Sequence, residues 1–205
     1  LLSLEFAKAN EEFVFDVTEI EILEDGNQIN GYNGGTATSQ DGSTITAENF
    51  FYNKLTNILE TNGDVKYVDI SNDIIITSDK AIYFKNQEKI YTIGNSKAVS
   101  DNNSITALNL EYDKIKNIFK AKKDAVANDF EKDTTIYADE ISYFKNEEKI
   151  FTKGKTKALI QNKYKFNSEN ISYFRNSEDI FSEKRSSVVD GDGNIYNLKN
   201  FTYNL

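Results

Sequence analysis

The 205-residue chain contains no cysteine, histidine, proline, methionine or tryptophan. Without cysteine there is no disulfide, no thiolate nucleophile and no sulfur-ligated metal. Without histidine there is no imidazole base and none of the commonest metal ligand. These absences exclude serine-protease-type triads, zinc hydrolases and redox dithiols. An enzyme would have to run on carboxylates, lysine or tyrosine alone, so neither catalytic residues nor cofactors are expected. Proline cannot donate to a β-ladder, and a chain made almost wholly of paired strands can dispense with it. Long apolar runs are missing too: nothing approaches the roughly 18 apolar residues of a membrane-spanning helix. Finally, residues 10–40 lack any Lys or Arg, while holding Glu11, Glu12, Asp16, Glu19, Glu21, Glu24 and Asp25. These seven acids account for most of the net charge of -9. Nucleic acid is not an expected partner, because phosphate binding needs a basic face.

What the chain does have is apolar mass. It holds 12 Tyr and 14 Phe within a 39% hydrophobic composition, which is foldable rather than disordered. The first nine residues read as the end of a secretory signal peptide. Leu1-Leu2-Ser3-Leu4 supplies an apolar tail, and Ala7-Lys8-Ala9 places small side chains at the two positions a signal peptidase must accept. On this reading residues 1–9 are removed, and residues 10–205 form one exported β-domain.

The strongest signal is internal repetition. Tyrosines 52, 83, 112, 143, 173 and 203 recur at spacings of 31, 29, 31, 30 and 30 residues, each at the end of a similar hexapeptide such as Ala138-Asp-Glu-Ile-Ser-Tyr143. A period of this size marks a stacked architecture. Two residues before each tyrosine stand Phe50, Ala81, Leu110, Ile141, Ile171 and Phe201; one residue before stand Phe51, Ile82, Glu111, Ser142, Ser172 and Thr202. That is strand alternation, with the tyrosine and the residue two before it on the buried face. After each tyrosine come a polar turn, an apolar pair (Ile58-Leu59, Ile90-Tyr91, Ile118-Phe119, Ile150-Phe151, Ile180-Phe181), a glycine position and a third apolar run. The glycine position reads Gly63, Gly94, Lys122, Gly154 and Lys184, and the inward residues four further on read Tyr67, Ala98, Val126, Ala158 and Val188. Each unit reads as a hairpin plus a return strand, the apolar pair and the third apolar run being different strands, and no segment sustains a helical period. The expected fold is all-β: an elongated sandwich or twisted jelly roll of five to six units of about thirty residues, each burying its apolar face against the next.

The repeated pattern, clearest in Ala138-Asp139-Glu140-Ile141-Ser142-Tyr143 with Ile150 and Gly154 and in Ser78-Asp79-Lys80-Ala81-Ile82-Tyr83 with Ile90 and Gly94, resembles the OstA-like family of lipopolysaccharide transport. The resemblance covers about residues 14–205, and drifts in the last two units, where Lys184 takes the glycine position. It implies a β-taco or β-jellyroll in the periplasm that carries lipid A acyl chains between two sheets and stacks end to end with neighbouring bridge domains. The implied lipid groove comprises Phe50, Tyr52, Tyr67, Tyr83, Ala98, Leu110, Tyr112, Val126, Ile141, Tyr143, Ala158, Ile171, Tyr173 and Val188. The implied partner edge is Phe13, Val14, Phe15, Asp16 and Val17. Within the family, the N-terminal periplasmic domain of the outer-membrane translocon is the nearer likeness and the soluble bridge the second. The sequence stops inside a strand-like unit, as if an outer-membrane barrel followed.

The same alternation also describes a closed core. An exported structural β-repeat of adhesin-stalk or surface-layer type would fit it equally well. The lysine runs 114–123 and 145–165 read as solvated surface or edge protection before they read as a phosphate rim. Asp190-Gly-Asp-Gly-Asn194 lacks the full spacing of a calcium loop and reads as a hairpin turn.

Overall fold

A computed structural model describes residues 12–204; the signal-like segment lies outside the described residues. The fold is all-β, with three single-turn 3-10 segments at Glu24–Gly26, Lys85–Gln87 and Lys145–Glu147. Its strands are β1 (Phe13–Leu23), β2 (Gln28–Ser39), β3 (Thr44–Ala47), β4 (Asn49–Asn53), β5 (Ile58–Asp69), β6 (Ile74–Phe84), β7 (Lys89–Ser100) and β8 (Asn103–Asp113). There follow β9 (Ile118–Asp129), β10 (Thr134–Phe144), β11 (Lys149–Ile160), β12 (Tyr164–Glu169), β13 (Ser172–Phe174), β14 (Asp179–Ser182), β15 (Ser186–Val189), β16 (Ile195–Leu198) and β17 (Phe201–Asn204). Successive rows pair antiparallel along the described chain, each of β3–β4, β12–β13, β14–β15 and β16–β17 forming the two halves of one row. The polar segments after each tyrosine are the turns that reverse it. Asp190–Asn194 is the hairpin turn between β15 and β16, tied by Asp190 accepting from the backbone N–H groups of Asp192 and Asn194 at 2.9 Å each.

Each repeat is therefore two long strands rather than a hairpin and a separate return strand. The apolar pair and the third apolar run, read from the sequence as different strands, are the two halves of one. Ile58-Leu59 and Val65–Tyr67 both lie in β5. What separates them is a bulge: the register slips between Asn62 and Val65, between Ile93 and Ser96, and at matching places in β1 and β10. The glycine position sits at this slip. Gly94 and Gly154 have φ near +80°, and an added Cβ would lie 2.2 and 2.1 Å from the carboxylates of Asp79 and Asp139. Only glycine meets both demands. Those aspartates are the second residues of the repeated hexapeptides. Asp139 accepts from Lys155 N at 3.0 Å and Asp79 from Asn95 Nδ2 at 3.0 Å, so each acid closes over the bulge of the next strand. In the unit where Leu108 replaces the acid, glycine is absent too. There the left-handed residues are Lys123 (φ 66°) and Asp124 (φ 54°).

Because every row bulges at the same height, the continuous sheet folds lengthwise along a hinge into two facing layers. The first layer contains the halves next to turns 40–43, 70–73, 101–102, 130–133, 161–163 and 190–194. The second contains the halves next to turns 24–27, 54–57, 85–88, 114–117, 145–148 and 175–178. The layers cross rather than align. Phe13 of β1 meets Tyr52 of β4 and Tyr83 of β6 at ring-centroid distances of 5.1 and 5.7 Å, and Tyr67 of β5 meets Tyr112 of β8 at 6.5 Å. At the far end Phe166 of β12 meets Phe201 of β17 at 5.2 Å. Such offsets of two to four strands are the expected result of sheet twist at about 4.8 Å per strand.

Candidate functional site

The space between the layers is the only continuous apolar region the fold creates among the described residues. From the second layer come Phe50, Tyr52, Leu59, Tyr83, Leu110, Tyr112, Phe119, Ile141 and Tyr143, each buried. From the first come Ile45, Tyr67, Ile76, Ala98, Ile105, Ile136, Ala158 and Phe166. Of the fourteen groove positions expected from the sequence, thirteen point into this space. Val126 does not. It stands half-buried on the outer face between inward Ala125 and Ala127, because the left-handed residue of its strand is Lys123 rather than Lys122. Counting from the wrong bulge position slips the register by one and inverts the face. Ala127 takes the inward place.

Two polar borders run along this apolar layer. The border at the hinge is neutral. Thr152 Oγ1 accepts from Ile171 N at 2.8 Å and from Thr156 Oγ1 at 2.8 Å, and Thr92 Oγ1 bonds Ser96 Oγ at 2.7 Å. Thr61 donates to the carbonyl of Ala81 at 3.3 Å. These buried hydroxyls satisfy backbone groups that the bulges release from the ladder.

The opposite border, where the free turns of the two layers meet, is ionic; it is called the seam below. Lys114 reaches from the β8–β9 turn to Asp41 at 2.6 Å, Asp69 at 3.1 Å and Ser43 Oγ at 2.7 Å, all in the first layer. Lys145 donates to the carbonyl of Asn72. Arg175 binds Asp129 at 2.6 Å and also Glu131 across the seam, while holding Glu148 at 3.1 Å in its own layer. Lys132 pairs with Glu178. Burial raises the Asp41 carboxyl, but hydrogen bonds from Lys114, Ser39 and the Ser43 backbone outweigh it and hold the group below the usual carboxylate range. Asp69 is likewise lowered: burial is overcome by Asn72 and Lys114. Burial, helped by nearby carboxylates such as Glu148 and Asp129, pushes the inward tyrosines up, Tyr143 and Tyr173 to about 12. The lysine run 114–123 is thus not uniformly solvated. Its first member is withdrawn into the seam.

With the seam shut, the interior is filled. Ala98 faces the bulky rings of Phe119 and Tyr143, and the gap they share with Ile105 measures about 10 Å³, at the lower limit for one water. Ser100 Oγ borders the same region and is a buried side-chain oxygen without a hydrogen-bond partner. The two ends differ from the length. At the N-terminal end Ile20 and Ile22 pair with Gly31 and Ile29 on the inward face, yet are 51% and 61% exposed, with no strand of the first layer over them among the described residues. At the C-terminal end a pocket of about 390 Å³ opens between the layers, lined by Tyr164, Phe166, Val188, Tyr196, Leu198, Phe201 and Tyr203.

Of the expected partner edge, Phe13 is fully buried, Phe15 and Val17 pack against the core, and Val14 and Asp16 face solvent. β1 pairs with β2 alone among the described residues, so its outer ladder is open, as are those of β16 and β17. Phe13 therefore serves the core through its side chain and the edge through its backbone.

No family model matches the chain, and no curated protein matches it. Among solved structures, one similarity is to LptH of Pseudomonas aeruginosa, described as the LptA-homologous periplasmic component of the lipopolysaccharide transport device. It has 14% identity and a TM-score of 0.49, covering 54% of this chain and 82% of that one. A second is to the TCP10 domain of Danio rerio CPAP in its E1021V form, at 7% identity and a TM-score of 0.23 over 88% and 99% of the two chains.

Proposed function

We propose that this chain is a non-enzymatic periplasmic domain of the lipopolysaccharide-transport type, which holds lipid acyl chains between its two layers and joins similar domains end to end. The observation that carries the reading is the interior: an unbroken apolar layer runs from Ile20 and Ile22 to Tyr196, Leu198 and Tyr203, bordered by polar groups along both sides and uncovered at both ends. A ligand that moves lengthwise needs that plan, and the OstA-like hexapeptides supply its chemistry. The open ladders of β1 and of β16–β17 supply the joints. Both rows run from the first layer to the second, so a head-to-tail joint between copies would pair parallel strands. Export behind the signal-like start, attachment to the outer membrane and continuation into a translocon barrel belong to the same proposal.

A second reading has an observation of its own. The interior leaves a gap of only about 10 Å³ at mid-length, which suits a solid structural module of adhesin-stalk or surface-layer type. One experiment separates the two. A photoreactive residue at Ile141, which points inward, is expected to capture lipopolysaccharide, and the same residue at Ser142 is not, since one step along a strand reverses the face. A folded protein that yields no adduct from Ile141, or equal adducts from both positions, leaves the structural reading in place.

A further inference from the structure

The seam is not latched evenly. In the first layer the turn at Asp101–Asn102 lies between turns 70–73 and 130–133: Asp101 N donates to Asp73 at 3.1 Å and Phe130 N donates to the Asn102 carbonyl at 2.9 Å. Both flanking turns are tied across the seam, one by Asn72 to Lys145 and the other by Asp129 to Arg175. No ion pair or hydrogen bond crosses the seam from Asp101 or Asn102 among the described residues. Directly inside lie Ser100, whose hydroxyl is orphaned, and the gap between Ala98, Ile105, Phe119 and Tyr143. An unlatched stretch of the seam therefore stands over a small gap in the packing at mid-length.

We infer that Asp101–Asn102 is a lateral portal through which a single acyl chain of an amphiphile enters the interior, with the Lys145 and Arg175 clasps as its two posts. The inference rests on the proposed acyl-carrying interior and adds where access occurs and what restrains it. The posts are a largely buried ion pair and a lysine–carbonyl contact, whose charges regain water as the post opens, so that hydration offsets much of the attraction lost on release. An acyl tail that parts them finds an apolar wall on both sides. Its headgroup stays outside among the turns, so the portal favours a ligand with one polar end over a fully apolar oil.

The test uses cis-parinaric acid, whose fluorescence rises in apolar surroundings, added to the intact chain. Removing one post with the double variant Asp129→Asn/Arg175→Gln, which takes out the buried carboxylate together with its cation and leaves Glu131 and Glu148 at the more exposed rim, should speed uptake about fivefold. Raising salt to 1 M on the unaltered protein should act in the same direction, which keeps the test valid if the variant folds poorly. The chain has no cysteine, so Asn102→Cys/Glu147→Cys is a unique pair, and bridging it with a short bis-maleimide should abolish uptake. Uptake that survives the bridge but is lost on Leu198→Glu at the C-terminal pocket overturns the portal while leaving the acyl-carrying interior standing. A folded chain that takes up no probe in any form, posts removed included, overturns both.

Discussion

The two polar borders of the interior have the same task, closing off an apolar layer, and do it with opposite chemistry. At the hinge the groups are neutral, buried and local: Thr152, Thr156 and the Ile171 backbone lie within one or two adjacent rows, and Gly154 fits against Asp139. At the seam they are charged, long and distant in sequence, as with Lys114 and Asp41, 73 residues apart. Neutral hydroxyls bonded to bulge carbonyls have no alternative partner and lose everything on separation. The seam's central ion pairs are withdrawn from solvent, with the Asp69 and Asp129 side chains 1% exposed, but both partners regain water when the layers part, which offsets much of the lost attraction. The hinge is built to stay folded and the seam to come apart. The difference between them makes a lengthwise-folded sheet a device that opens on one side.

The largest effect that would sharpen this contrast is at the hinge. Gly154→Val forces a β-branched side chain into a left-handed conformation and onto the Asp139 carboxylate; a loss of about 3 kcal/mol by urea unfolding is expected. Next is Thr152→Val, which keeps the shape but strands the Ile171 N–H, while the Thr156 hydroxyl keeps only the Gly154 carbonyl. It should cost about 2 kcal/mol in the same assay. Breaking the seam should cost less: Asp129→Asn/Arg175→Gln removes the buried carboxylate together with its cation, leaves Glu131 and Glu148 at the more exposed rim, and is expected to change stability by about 1 kcal/mol. A seam variant as damaging as the hinge variants would erase the distinction.

Acid sharpens it further. Asp41 and Asp69 have carboxyls held below the ordinary range, so the stability they contribute is complete above their unfolded value near pH 4 and is lost as pH falls through the lower folded value. Below about pH 4 the seam should weaken, whereas the buried hydroxyls of the hinge do not titrate. Asp41→Asn should flatten that acid limb in a pH series of melting temperatures.

Much of the hinge was legible in the sequence, and almost none of the seam. The tyrosine period, the inward columns and the glycine positions are local patterns, repeated at every row, and a bulge residue imposes itself on its own strand. The one misplaced residue, Val126, fails for the same local reason: with Leu108 in place of the acid and lysine in place of glycine, nothing in the sequence distinguishes Lys122 from Lys123 as the left-handed position. Inward residues of the first layer such as Ile74, Ile76 and Ile136 were within reach through simple alternation, but fall outside the tyrosine-anchored columns. The clasps depend on how far the layers cross, which twist sets and no single row records. Lys114 therefore reads as one more surface lysine until Asp41 and Asp69 are brought to it.

The most direct test of the opening seam is a pair of distance measurements by electron spin resonance on labelled cysteines. One pair, Asn102→Cys with Glu147→Cys, spans the seam; the other, Lys80→Cys with Lys97→Cys, straddles the hinge from one layer to the other. Saturating lipopolysaccharide is predicted to widen the first distribution and leave the second where it was. Bound lipopolysaccharide with both distances unchanged, or with the hinge pair moving as much as the seam pair, would contradict the account.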